Sequence, residues 1–226
     1  MVEENLNAGH RERLKQKFLS LKDEIPDYEL LELLLTYAIP RKDVKPLAKQ
    51  LLARFGSLGS VLSASEEELV KVDGVKLSTA VLLQTVFVCV KHILKREMQN
   101  KPVMSSWEDI ENYCYALLGR ETKECVYIIP LDANCRVIDA IRVQKGTVDQ
   151  SAVYVREVLE ILIANHAISF LMVHNHPSGS SQPSRADLAI TATLRETAKK
   201  MNIKMVDHLI ISPKGLTSFS LMGLMD

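Results

Sequence analysis

His174-Asn175-His176-Pro177-Ser178-Gly179-Ser180-Ser181-Gln182-Pro183-Ser184-Arg185-Ala186-Asp187 is the stretch from which this chain is read. It is preceded by Ile168-Ser169-Phe170-Leu171-Met172-Val173, a β-branched and aromatic run of buried-strand type. A polar turn follows, and then a helix starting at Ser184. Side chains alternate along a strand, so His174 and His176 point to the same side. Pro177 lacks an N–H and ends the ladder just past the second histidine. Gly179 and Pro183 let the chain turn, which puts Asp187 in the first turn of the helix. Two imidazoles and one carboxylate can therefore meet at one point. With a fourth position open, that is a ligand set for catalytic zinc. Non-haem Fe(II) takes the same ligand types. Two plainer readings stay open: Ser184-x-x-Asp187 is also a capping box, and His174 and His176 alone can be core histidines.

His-x-His-Pro, six residues, then Ser-x-x-Asp resembles the JAMM motif of the MPN+ metalloprotease-like superfamily. Lys145-Gly146-Thr147-Val148 upstream and Val206-Asp207-His208-Leu209-Ile210 downstream resemble the bacterial RadC family (UPF0758 type) within it. The resemblance spans most of the chain. It implies a fold of cytidine-deaminase-like or JAMM type, one Zn2+ held by His174, His176 and Asp187, and a glutamate on an early strand that carries protons. Glu124 is the residue here that opens such a strand, Glu124 to Leu131.

Hydrophobic residues make up 47% and charged residues 25% of the 226 positions, an ordinary soluble composition with room for real cores. There are 15 Lys/Arg against 14 Asp/Glu up to residue 100, and 13 against 14 beyond it. Neither half has the basic excess of a strong nucleic-acid binder. Cys89, Cys114, Cys125 and Cys135 form no Cys-x-x-Cys pair and read as small hydrophobes in a reducing compartment. The N-terminus lacks the apolar core of a signal peptide, and the longest apolar run, Ala80 to Val90, is short for a bilayer and carries Gln84. The expectation is a cytoplasmic protein without a membrane role.

The spacing predicts helices from His10 to Leu21, Tyr28 to Ala38 and Asp43 to Phe55, the last closed by Gly56. Ser65 and Glu68 form a capping box. Val72 to Ala80, a glycine-bearing turn ahead of a long apolar helix reaching about Glu97, resembles a helix-hairpin-helix module. In that module, backbone N–H groups and a helix N-terminus meet a DNA phosphate. Gly74, Lys76 and Ser78 are the nucleic-acid-binding candidates, although Lys76 stands where a second glycine is expected. A partner-docking or plain packing role for the helices is the alternative. Met98 to Ser106 is the break of linker quality, which divides the chain into a helical domain, 1–100, and a metal-binding domain, 101–226.

Beyond it, helices are expected from Trp107 to Gly119, Ala152 to Asn165 and Ser184 to Met201. Strands are expected over 124–131, 137–143, 168–174, 204–211 and 217–221. The class is α/β of the α+β kind: a mixed sheet flanked by helices behind a small all-α domain.

Three protein ligands leave room for a metal-activated water that attacks a carbonyl. Glu124 would act as general base and then acid. Its competitor is Glu157, which is flanked by Arg156 and spaced three residues from Glu160 like a solvated helix face. Ser184 caps its helix, and its hydroxyl can support an oxyanion. His208 fits no ligand spacing. It reads either as a buried structural histidine or as a support for a metal ligand. His10, His92 and His166 have no company that suggests chemistry. Three functions follow: a zinc-dependent hydrolase of peptide or isopeptide bonds, a DNA-associated protein, or an interaction module with a structural metal. The peptide or protein substrate is left open.

Overall fold

A computed structural model describes residues 2–119, 121–145 and 153–225, and divides the chain into two compact units, Met1–Val90 and Lys91–Asp226.

The first unit is helical. Helix α1 covers Val2–Leu21, starting ahead of the expected His10. Leu14 is buried, in a cluster with Ile25 and Leu33. Helices α2 (Asp27–Ala38), α3 (Lys45–Phe55), α4 (Leu58–Ser63) and α5 (Glu66–Leu69) follow. Gly56 terminates α3 at φ 88°, and the Ser65/Glu68 capping box starts α5. The short α4 was not expected. It is capped by Ser57, whose hydroxyl accepts from Ser60 N, and it buries Val61 and Leu62. Leu31, Leu35, Ala48, Leu51, Val61, Leu69, Ala80 and Leu83 form this unit's core.

Helix α6, Leu77–Asn100, contributes to both units. Ala80 and Leu83 lie in the first core, whereas Met98 lies in a core of the second. The helix thus runs into the Met98–Ser106 segment where a linker was expected. It is also longer than the Ala80–Val90 run suggests: by length and composition alone it is apolar enough to cross a membrane, with 17% of its most apolar window buried.

The second unit adds helices α7 (Trp107–Leu118), α8 (Val155–Ala164) and α9 (Arg185–Lys199). Its strands are β1 (Cys125–Leu131), β2 (Ile141–Lys145), β3 (Ser169–Asn175), β4 (Lys204–Ser212) and β5 (Gly215–Ser218). Their order is β2-β1-β3-β4-β5, with only β3 and β4 parallel. A parallel pair needs a crossover, and α9 supplies it. The second strand begins later than the predicted 137–143, because Val137 makes only an isolated bridge to Leu131.

Alternation assigns the two faces of the sheet. Leu171, Val173, Leu209 and Ile211 pack with Ile110, Cys114 and Leu118 of α7. Phe170 and Met172 pack on the opposite face with Val158 and Leu162 of α8 and Leu194 and Ala198 of α9. The result is a mixed sheet between helical layers, as the sequence pattern implies.

Candidate metal centre

β3 continues the parity of Phe170 and Met172 to His174, which therefore lies on the α8/α9 face. His176 falls one residue past the strand, yet its N–H still donates to Ile211 O at 2.8 Å. Pro177 then removes the next donor. Gly179 turns the chain at φ 87° and donates to His176 O at 3.0 Å. Only the backbone conformation demands glycine there, since an added Cβ would meet nothing within 4 Å. Ser184 caps α9: its Oγ accepts from Asp187 N at 3.1 Å, and its N–H donates to Asp187 Oδ2 at 2.7 Å. The capping box and the metal-ligand reading of this segment therefore hold together. Oδ2 closes the box and also faces His176, while Oδ1 faces His174.

His174 Nε2 lies 2.9 Å from His176 Nε2 and 3.4 Å from Asp187 Oδ1, and His176 Nε2 lies 3.5 Å from Asp187 Oδ2. Ligand atoms of a tetrahedral site with bonds of about 2.0–2.1 Å stand roughly 3.3–3.4 Å apart. Each imidazole meets one carboxylate oxygen near that spacing, His174 facing Oδ1 and His176 facing Oδ2, and with one ligand atom per residue the three lie within 4.8 Å of one another. Both rings are free to offer Nε2, because Nδ1 of His176 is engaged by Ser180 O at 3.0 Å and Nδ1 of His174 by His208 Nε2 at 2.7 Å. A donor set of two imidazoles and one carboxylate fits a single divalent ion.

Electrostatics point the same way. Burial by itself raises the Asp187 carboxyl, but the neighbouring His174 and the hydrogen bonds with Ser184 outweigh it. The group is held well below the usual carboxylate range and stays anionic.

A cavity of about 820 Å³ opens over these three residues, and its lining includes Glu124, Ser184, Met172 and Ile190. Glu124 is exposed, immediately ahead of β1. Glu157, its competitor, is exposed on α8 and does not line this cavity. Gly74, Lys76 and Ser78 all lie exposed in the first unit around the start of α6, with Gly74 at φ 88°. The Lys145-Gly146-Thr147-Val148 motif lies outside the described residues after Lys145.

Three supporting residues escaped the sequence reading or were left undecided by it. His208, fully buried on β4, meets His174 Nδ1 through Nε2 at 2.7 Å, the contact that a support for a metal ligand would make. Its other ring nitrogen meets Thr191 Oγ1 at 2.6 Å. Burial, reinforced by the neighbouring His174, holds the His208 ring well below the usual histidine range, so it is neutral. Asn175, between the two ligand histidines in sequence, points to the opposite face. Its Oδ1 accepts from Cys125 N at 2.8 Å, and its Nδ2 donates to Glu121 O at 2.9 Å and Lys123 O at 3.1 Å. The segment that carries Glu124 is thereby tied to the strand that carries His174. Thr191 and Asn175 gave no spacing signal, because the contacts that matter here, Thr191 with His208 and Asn175 with Cys125, join residues distant in sequence.

The comparison with known families agrees with this geometry. The RadC-like JAB domain matches residues 104–224, a span that holds the whole ligand set, its supports and every strand of the sheet. Since that is more than half of the chain, the protein belongs to the RadC-like JAB domain family.

Proposed function

We propose that this protein is a zinc-dependent hydrolase acting on a peptide or isopeptide bond, with His174, His176 and Asp187 holding the ion. When bound, the ion would supply Lewis acidity, which brings the pKa of a water down to about 7. Glu124 takes a proton from the attacking water and passes it to the leaving amine as the carbonyl–nitrogen bond breaks. Ser184 Oγ already accepts from Asp187 N, so its hydrogen remains available for the oxyanion on the attacked carbonyl. Val126, Met172 and Ile190 give the cavity apolar walls beside the three ligand-type side chains.

One observation carries the reading: the three ligand-type side chains converge on the floor of an open cavity that Glu124 also lines. A structural zinc site is closed by a fourth protein ligand instead. The test is elemental analysis of the purified protein with a peptide-library cleavage screen. Wild type should carry one equivalent of zinc and cleave. His174→Ala should lose both metal and cleavage, and Glu124→Gln should keep the metal and lose cleavage. Zinc retained at one equivalent in His174→Ala would end the assignment.

The turn ahead of α6 favours a second reading, association with DNA through Gly74, Lys76 and Ser78. These residues are exposed where the first N–H groups of a long helix emerge. Salt-dependent binding to duplex, branched and single-stranded DNA would support it, and no binding at low ionic strength would dispose of it. A cytoplasmic setting is part of the same proposal. It is supported by the free state of all four cysteines and by the packing of Ala80 and Leu83 into a helical core.

A further inference from the structure

Three contacts behind the candidate metal centre have a direction that can be worked out from donor and acceptor chemistry alone. Thr191 Oγ1 lies 2.5 Å from Asp187 O. A carbonyl oxygen only accepts, so the threonine hydroxyl donates, the back-bond a hydroxyl commonly makes four residues along a helix. Its one hydrogen is then used, so towards His208 Nδ1 it must accept, and that nitrogen carries a proton. His208 is fully buried and its ring nitrogens face Thr191 and His174 rather than a carboxylate, so the ring is neutral; with a proton on Nδ1 its Nε2 is bare and accepts from His174 Nδ1 at 2.7 Å. His174 therefore carries its proton on Nδ1 and presents a lone pair at Nε2, the atom turned toward His176 and Asp187.

We propose that His208 and Thr191 form a directional lock that holds His174 in its metal-binding tautomer and anchors that tautomer to the backbone of Asp187, another ligand residue. The lock deepens the metal-centre reading and rests on it. His208 is a positioning residue and touches no reacting atom. The site is well suited to such a role. His208 and Thr191 are 0% and 3% exposed, and no solvent is needed to complete the chain of bonds. The His208 ring is also packed against Phe219, with ring centroids 4.3 Å apart, so it does not turn over easily. Asp207 fixes the backbone beneath it by accepting from His208 N at 2.7 Å and from Ser220 N at 2.9 Å. His176 reaches the same tautomer by a simpler route, donating from Nδ1 to the carbonyl of Ser180. In both rings, the nitrogen remote from the site is committed as a donor.

The experiment uses Zn(II) itself, titrated against a chromophoric chelator, on the full chain of wild type, His208→Leu and His208→Gln. Removing the acceptor in His208→Leu should weaken zinc binding about ten- to a hundredfold, as loss of such outer contacts does. Gln offers a carbonyl oxygen to His174 and an amide hydrogen to Thr191, so His208→Gln should stay within about threefold of wild type. Ring-nitrogen NMR of zinc-loaded wild type gives a readout that needs no variant to fold: His208 should show its proton on Nδ1. A proton on His208 Nε2, or zinc affinity in a folded His208→Leu within threefold of wild type, overturns the lock while leaving the metal centre intact. Failure of wild type itself to bind zinc overturns the metal-centre reading instead, and the lock with it.

Discussion

Asp187 meets two demands that usually compete. A carboxylate at the first turn of a helix is favoured by the unpaired N–H groups there, and a half-buried carboxylate is disfavoured by lost hydration. Here Oδ2 takes the Ser184 N–H while Oδ1 faces His174, so the anion is kept and remains usable. Cys114 shows the opposite outcome. Burial, with the nearby Glu111 charge, pushes its thiol up from 9.0 to about 12. The folded state therefore favours the neutral thiol more than the unfolded state does. Its contribution to stability is complete below pH 9.0 and is lost as the pH rises from there toward about 12. Denaturant titrations across that window should show a smaller alkaline loss in Cys114→Ala than in wild type. In the folded protein, a thiol reagent should label the exposed Cys89 rapidly and leave Cys114 untouched until the chain unfolds. Equal labelling rates for the two would contradict the buried, protonated thiol.

At the scale of elements, β3 does different work on each face. One face ends in the two ligand histidines, and the other carries Asn175, which holds the chain from Glu121 to Cys125 by three hydrogen bonds. Cutting those bonds leaves the buried Cys125 N–H unpaired, at about 1–3 kcal/mol, while the Glu121 and Lys123 carbonyls can turn to water. Asn175→Ala should therefore lower the midpoint of chemical denaturation by an amount equivalent to roughly 1–3 kcal/mol. Hydrogen exchange at the Cys125 amide should quicken more than exchange elsewhere in β1. Unchanged exchange there would show that the segment is held by something else. The two faces were only half legible. Parity along 168–176 places the histidines together from sequence alone, but it says only that Asn175 points away, not what it meets.

Over the whole molecule, metal binding and folding should be coupled in the second unit. An ion that binds only the folded state stabilises by about 2.7 kcal/mol at a hundred times its Kd. Zinc should accordingly raise the unfolding temperature of wild type, a chelator should reverse the rise, and His174→Ala should show neither effect. Hydrogen exchange should locate the added protection in β3 and the first turn of α9, with the core of α2 and α3 unaffected. Protection spread evenly over both units would tell against a local site. The convergence of His174, His176 and Asp187 was determined by the sequence, because it depends on short-range rules: strand parity, a proline that ends pairing, a glycine turn and a helix cap. The support behind it was decided only by the tertiary structure. His208 reaches His174 across 34 residues and Asn175 reaches Cys125 across 50, contacts created by the register of β3 with its neighbours β4 and β1. Register is a long-range choice made by burying two apolar faces at once, and no local spacing encodes it.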